Sequence, residues 1–340
     1  MSPLKTSKPF CDFPELVDRL EDRGLIIPDK YKAVRKLSQI GYYRLSGFWY
    51  PCRKGKVDDM GEYVVDPKTK FPVREDQFQE NVSFDNIVKL YLSDKKLRQL
   101  MLDAVERIEI QVRTVIANVM GHISPTAYEN SDHIHPSQIK NFYDKDGNVR
   151  NAWSAWCERH NSVISRSKED CIVWHIKNKK ELPFWAAVEA WDFGLMSKYY
   201  EILKGKHQEV IAKKVGVIDK TCLVNWLQTI NTLRNRCAHH SRMWNRSWAV
   251  SLKADLQSEY FVKLDLDKRA LQRNYGMIAV LWYLIKTIGP SSEWLLNVAD
   301  LIDTKPPLAC CPYEAMGFPD ETGFPREKFD LPLSSKKTEE

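Results

Sequence analysis

From Leu97 to Val119 the apolar side chains return every three or four positions: Leu97, Leu100, Met101, Ala104, Ile108, Val112, Val115 and Val119. That is the period of an amphipathic helix, not of a strand. Ser83 stands where an N-cap belongs and Gly121 where the stripe stops, so a helical run over 83–121 is predicted. Nearer the start, Phe13, Leu16, Val17 and Leu20 share one helical face between Asp12, a fitting N-cap, and Gly24, a fitting C-cap. Asp29 opens a second run to Ile40, which Gly41 breaks.

Further along, residues 52–80 are polar with scattered Pro and Gly and predict a small hairpin or a loop. Residues 122–150 predict a long loop with short helical pieces, and AWSAWCERHNSVISRSK predicts another helix. LPFWAAVEAWDFGLMSKYYEIL predicts a helix that starts at Pro183 and breaks at Gly194. RALQRNYGMIAVLWYLIKTIG predicts a final long helix that stops at Gly289–Pro290. Alternating strand patterns are few, so the fold class is all-α, with a Pro-rich C-terminal strap after residue 290.

The helix from 221 to 238 raises a chemical question. Leu223, Trp226, Leu227 and Ile230 define its apolar stripe, and Arg234 continues it. A guanidinium on an apolar face is costly unless something specific pairs with it or solvates it. Two histidines, His239 and His240, follow closely. On an ideal helix His239 lies about 140° round from Arg234. The two cannot point into one pocket from one undistorted helix. Either the helix ends near Ala238, or two copies of it assemble the site.

Composition narrows the classes. The chain has 340 residues, 43% of them hydrophobic, with 11 Trp. That supports one large domain or two ordinary ones, and excludes global disorder. No run of about 18 apolar residues occurs, so no transmembrane helix is expected. The start lacks the apolar core of a secretory signal, and a cytoplasmic location is expected. Eight cysteines are scattered without a C-x-x-C spacing, and Cys310 and Cys311 are poor partners for each other. Free thiols are therefore expected in place of a disulfide framework or structural zinc. The net charge of +6 permits a nucleic-acid partner. Phosphate-binding glycine loops and the G-x-S-x-G elbow are absent. His133 and His135 form an H-x-H pair without a recognisable third ligand, so no metal and no cofactor is expected.

Imidazole beside guanidinium suits phosphodiester chemistry. His can take a proton from a 2′-hydroxyl or give one to the leaving 5′-oxygen. Arg can grip the nonbridging oxygens and stabilise the pentavalent state. Arg236, Arg242 and Arg246 are candidates for flanking phosphates, with Trp244 or Trp248 for stacking on bases. Glu106, Glu109 and Arg113 share one strip of the 83–121 helix. They form either a solvated ion-pair ladder or a strip facing the Arg234 helix. The plain alternative is an Arg234–carboxylate clamp with histidines capping a helix end.

R-N-x-x-x-H at 234–239, inside LRNRCAHHSRMWNR, resembles the HEPN ribonuclease motif. Its longer form is similar to the bacterial abortive-infection family of the Abi-D/Abi-F type. GYYRLSGFWYP at 41–51, LYLSDKKLRQLMLDAVERIEIQVRTVIA at 90–117 and LPFWAAVEAWDFGLMSKYY at 182–200 resemble other blocks of that family, in the same order. The resemblance covers residues 10–290. It implies an all-α HEPN-type bundle with an N-terminal helical extension (1–80), a helical core (81–290) and a strap and tail (291–340). It implies a metal-independent endoribonuclease toxin of phage defence. Arg234 and His239 are then the catalytic pair, Asn235 a residue orienting them, and His240 a neighbour of less defined role. It also implies a homodimer with a shared site, RNA as substrate and, for some relatives, a partner RNA that restrains toxicity. The rivals are a non-catalytic RNA-binding module, a protein-interaction module and, third, a partner or substrate of a nucleotidyl- or adenylyl-transferase.

Overall fold

The computed structural model describes residues 9–68, 72–143 and 145–330. Among the described residues three helices come first: α1 (Phe13–Asp22), α2 (Lys30–Ile40) and α3 (Tyr42–Trp49). Asp12 closes a capping box on α1 with Glu15, and Gly41 ends α2 at a positive φ of 93° before α3 starts. A small antiparallel ribbon follows, β1 (Arg53–Gly55) on β2 (Arg74–Phe78), with Arg53 opposite Phe78.

Helix α4 (Phe84–Ile123) has 40 residues and is the axis of the fold; at 1.5 Å per residue it is about 60 Å long. Ser83 caps it by accepting from the Asn86 N–H at 3.2 Å. After a short α5 (Pro136–Ile139) and the ribbon β3 (Phe142–Tyr143) with β4 (Val149–Arg150), the chain forms α6 (Ala152–Arg166), α7 (Asp170–Lys177), α8 (Phe184–Ala187), α9 (Phe193–Ile202), α10 (Gly205–Val215) and α11 (Lys220–Ala238). Then come α12 (Glu259–Leu264), α13 (Lys268–Leu271), α14 (Asn274–Ile288) and α15 (Trp294–Asp303). Helices α3, α8, α10, α11, α14 and α15 all pack against α4. Every residue of α14 from Asn274 to Ile285 is buried, as expected of a helix apolar on all sides.

The all-α reading holds. Two boundaries differ from the expectation. Gly194 does not break a helix; the turn falls at Trp191–Asp192, and the Asp192 carboxylate caps α9 by accepting from the Leu195 N–H at 2.7 Å. Gly194 lies inside α9, where a Cβ would come within 3.3 Å of Arg159, Asn231 and Asp192. The glycine serves close packing. The run 269–289 is two helices, because α13 stops at Gln272 and α14 packs back on it. A Cβ on Gly276 would sit 2.5 Å from the Ala270 carbonyl oxygen, so only glycine permits that approach.

Helix α15 was not foreseen in the strap, although Leu295, Val298, Ala299 and Ile302 give it a buried face. The strap adds to the core. The indole N–H of Trp282 donates to the Phe329 carbonyl at 3.1 Å, and that of Trp294 to the Leu100 carbonyl at 2.7 Å. One continuous apolar core runs from Val17 to Phe329. The expectation of free thiols fails at one pair. Cys52, just after α3, is disulfide-bonded to Cys310 in the strap, 258 residues away. Spacing could not reveal this, because folding of the strap alone brings the two Cα atoms to 4.9 Å. No helix among the described residues is long and apolar enough to cross a membrane.

Candidate functional site

Helix α11 ends at Ala238, as the angular argument required of a single chain. The end is a Schellman arrangement. The Ser241 N–H donates to the Arg236 carbonyl at 2.8 Å, and the His240 N–H to the Cys237 carbonyl at 3.0 Å. His240 takes the left-handed position at φ 55°, where a glycine is usual and a β-carbon costs about 1 kcal/mol or more. The reversal turns His239, His240 and Ser241 into a cleft of about 670 Å³.

The opposite wall of the cleft is α3 and its exit, with Tyr43, Arg44, Ser46, Gly47 and Tyr50; α4 contributes Tyr91 and Arg98, and the segment after α11 adds Arg242 and Arg246. Among the described residues, four arginines and two histidines line the cleft and no carboxylate does. Arg44 donates to the His240 carbonyl at 2.9 Å and so holds the strained turn. The Arg242 guanidinium lies against Gly47, where a Cβ would come within 2.9 Å of Nη1. Its Nε is buried without a hydrogen-bond partner. Burial and the neighbouring Arg246 push the proton affinity of Arg242 down, with Asp94 pulling it back. Two guanidinium groups that line one cleft without an ion pair among the described residues favour an anion between them.

Beneath the cleft, Asp94 fixes the loop that carries these groups. Its carboxylate is fully buried and ion-paired with Arg98. The same carboxylate accepts from the Met243 N–H at 2.9 Å and the Trp244 N–H at 2.8 Å. Arg98 also donates to the Ser241 carbonyl at 3.2 Å. Burial pushes the Asp94 carboxyl up from its usual range, opposed by Arg98 and the two N–H donors. Sequence reading missed Asp94, Arg98, Arg44 and Gly47. The available signal was the i, i+4 pair in SDKKLR and the Arg and Gly inside an aromatic-rich block.

Of the expected site residues, His239 and His240 are exposed in the cleft with Arg242 and Arg246. Arg234 is half-buried and is not a cleft-lining residue. It lies near Glu109 on α4. Burial pushes the Glu109 carboxyl up, and Arg113 and Arg234 pull it back. Glu109 pairs with Arg113 at 2.5 Å, and Arg113 reaches Glu189 at 3.8 Å. Arg234 itself makes no ion pair within 4.0 Å among the described residues, so it is not held in a carboxylate clamp. Asn235 is exposed, and its carbonyl accepts the His239 N–H at 2.9 Å; no side-chain hydrogen bond links it to Arg234 or His239.

Three expectations are corrected. Trp244 is only 2% exposed and belongs to the core, so it cannot stack on a base; Trp248, at 4%, is likewise buried. Trp244 is drawn in by the loop anchoring at Asp94, and Trp248 by donating to the Gln272 and Arg273 carbonyls. Arg236 is half-buried, donates to the Ser247 carbonyl at 2.9 Å and stacks over Trp248 at 4.6 Å. It braces the loop and does not face an open cleft. Glu106 is exposed on α4, with no partner among the described residues, and stands apart from Glu109 and Arg113. The stacking surfaces that do face the cleft are Tyr43, 77% exposed, and Tyr50, 48% exposed. His133 and His135 diverge: one ring packs on His207 with centroids 5.2 Å apart, and the other bonds the Ser137 hydroxyl at 2.7 Å.

These features define an all-α protein whose cleft at the end of α11 is basic and rimmed with tyrosine. The model of the Abi-like protein family matches residues 35–245. The chain belongs to this family, which connects it with abortive infection in phage defence. The matched span contains every lining residue of the cleft except Arg246, which follows it directly. No curated protein and no solved structure matches the chain.

Proposed function

We propose that this chain is an endoribonuclease of HEPN type that acts in phage defence and cuts RNA through the RNA's own 2′-hydroxyl without a metal. The observation that carries the reading is the cleft in which His239 and His240 stand among Arg44, Arg98, Arg242 and Arg246 with no lining carboxylate among the described residues. Such a donor set suits a polyanion and gives hard cations such as Mg²⁺ no carboxylate ligands within the cleft. Arg44, Arg242 and Arg246 hold successive phosphates, and Tyr43 and Tyr50 stack on bases. His239 is the proton-transfer group and Arg234 the transition-state clamp.

In one chain Arg234 lies outside the cleft, so the full site takes a second copy that brings its own α11 end to this one. The homodimer is part of the proposal. So is RNA as the partner that the cleft recognises, as substrate or as a restraining transcript. Glu109 and Arg113 position Arg234 from α4. A second reading, an RNA-binding module without catalysis, draws support from the same placement of Arg234 and from the lack of any bond between Asn235 and His239.

The test is RNA 5′-end sequencing after induced expression, together with cleavage by purified protein in EDTA. Products should carry 2′,3′-cyclic phosphate and 5′-hydroxyl ends, and 2′-deoxy substitution at the cut should block the reaction. His239→Ala should lose roughly 10²–10⁴ in rate. Arg234→Ala should abolish cleavage while RNA binding persists. Cleavage of the 2′-deoxy substrate, or an absolute need for Mg²⁺, refutes the mechanism. RNA binding with no cleavage in the wild type supports the second reading.

A further inference from the structure

Three sulfurs converge behind the cleft. Cys52 and Cys311 are fully buried and Cys310 is half-buried. Cys311 Sγ lies 3.9 Å from Cys52 Sγ and 3.9 Å from Cys310 Sγ, and ligand atoms of all three lie within 4.8 Å of one another. A disulfide needs only one of the two consecutive strap cysteines, yet both turn onto Cys52. Two thiolates on one zinc-sized ion, each about 2.3 Å from it, stand about 3.8 Å apart at a tetrahedral angle. The two spacings of Cys311 fit that distance.

The surroundings supply balancing charge. The positive charges of Lys305 and Arg242 both act on Cys311. Lys305 also donates to the Cys311 carbonyl at 2.6 Å, so its ammonium is held beside the cluster.

We propose that, in the reduced protein, Cys52, Cys310 and Cys311 bind one thiophilic d¹⁰ cation of the zinc class. The bonded pair Cys52–Cys310 is the oxidised, cation-free form of the same site. Conversion between the forms is balanced as follows. A dithiol reductant supplies two electrons and two protons, the Cys52–Cys310 bond breaks to two thiols, and the reductant leaves as its own disulfide. The entering cation then displaces the thiol protons to solvent. Soft thiolate donors select such ions over Mg²⁺ or Ca²⁺. A fourth position, on the half-buried Cys310 side, is left for water or an exogenous ligand. In either form the strap stays fastened to the end of α3, directly behind Arg242 and the cleft.

The experiment uses the full chain, reduced with a phosphine under nitrogen, given zinc and desalted. Metal is counted by mass spectrometry of the elements, and cysteine alkylation is mapped with and without zinc. One zinc per chain is expected, with Cys52, Cys310 and Cys311 protected and exposed Cys171 labelled equally in both samples. Cys311→Ser should lower zinc affinity at least about tenfold, and Cys171→Ser should leave it unchanged. If the Cys311 variant misfolds, the alkylation map of the wild type decides alone. Zinc retained with no protection of these three cysteines overturns the proposal. So does no zinc retained by reduced wild type, or equal retention by a folded Cys311→Ser.

Discussion

Replacing Asp94 tests whether the cleft is built from beneath. Its carboxylate joins Arg98 and the Met243 and Trp244 N–H groups in a fully buried position. Asp94→Ala leaves a buried guanidinium without its partner, a loss of about 3–5 kcal/mol when one member of a buried pair is removed. It also orphans two backbone donors at about 1–3 kcal/mol each, a cost that overlaps with the first and is not added in full. A total of about 4–6 kcal/mol is expected, large against the 5–15 kcal/mol of an ordinary domain. With an unfolding entropy of about 2.1 cal/mol/K per residue, each kcal/mol shifts Tm by about 1.4 °C for a chain of this length. Thermal unfolding by circular dichroism should therefore show a fall of about 6–8 °C. Asp94→Asn keeps one acceptor oxygen for the N–H groups and should lose about half as much. Adding Arg98→Met to Asp94→Asn should restore part of the loss, because the unpaired charge is gone. The surface pair Arg107–Asp103, 2.9 Å apart with side chains 42% and 45% exposed, is the control; Asp103→Ala should cost under about 1 kcal/mol. If Asp94→Ala costs no more than Asp103→Ala, the anchoring argument is wrong.

Three further outcomes follow from the same geometry. His240→Gly removes a β-carbon from a left-handed position and should raise stability by about 1 kcal/mol in urea titration, whereas His240→Val should lower it by more than that. Arg44→Gln and Arg246→Gln should each weaken binding of single-stranded RNA at low salt and reduce the slope of log affinity against log salt by about 0.7, one phosphate contact apiece; an unchanged slope would remove them from the interface. His160 is 6% exposed, its Nδ1 accepts from the Trp191 indole at 3.0 Å, and burial pushes its pKa down to about 4. Its folded value lies below its unfolded one of about 6.5, so its neutral form contributes fully above pH 6.5 and stability falls by up to about 3 kcal/mol as pH drops from 6.5 to 4. In His160→Gln that part of the pH dependence, read from urea midpoints, should flatten.

The sequence by itself determined the helices whose apolar period was long and capped. Helix α4, with Ser83 as its cap, and α11, with Leu223, Trp226, Leu227 and Ile230 buried, were legible because period and caps are local properties. The end of α11 near Ala238 was one of two alternatives left open by the angle between Arg234 and His239; the helix does end there, but the turn carries His239 into the cleft and leaves Arg234 outside it. The division of labour among the polar residues was not legible. A helical wheel places Glu106, Glu109 and Arg113 on one strip, but only the packing of α4 against α8, α9 and α11 decides that Glu109 meets Arg113 while Glu106 faces water. Trp244 and Arg242 stand two positions apart in an arginine- and tryptophan-rich turn. Only the hydrogen bonds that the Asp94 carboxylate, 150 positions away from Trp244, accepts from the Met243 and Trp244 N–H groups decide that the indole goes to the core while the guanidinium goes to the cleft. Likewise Arg44 and His240 are 196 positions apart, and Cys52 and Cys310 are 258. Contacts of that separation leave no period and no spacing in the chain. They exist because α3, α4 and the strap close on one another around a shared apolar core, and that closure is what assembles the basic cleft.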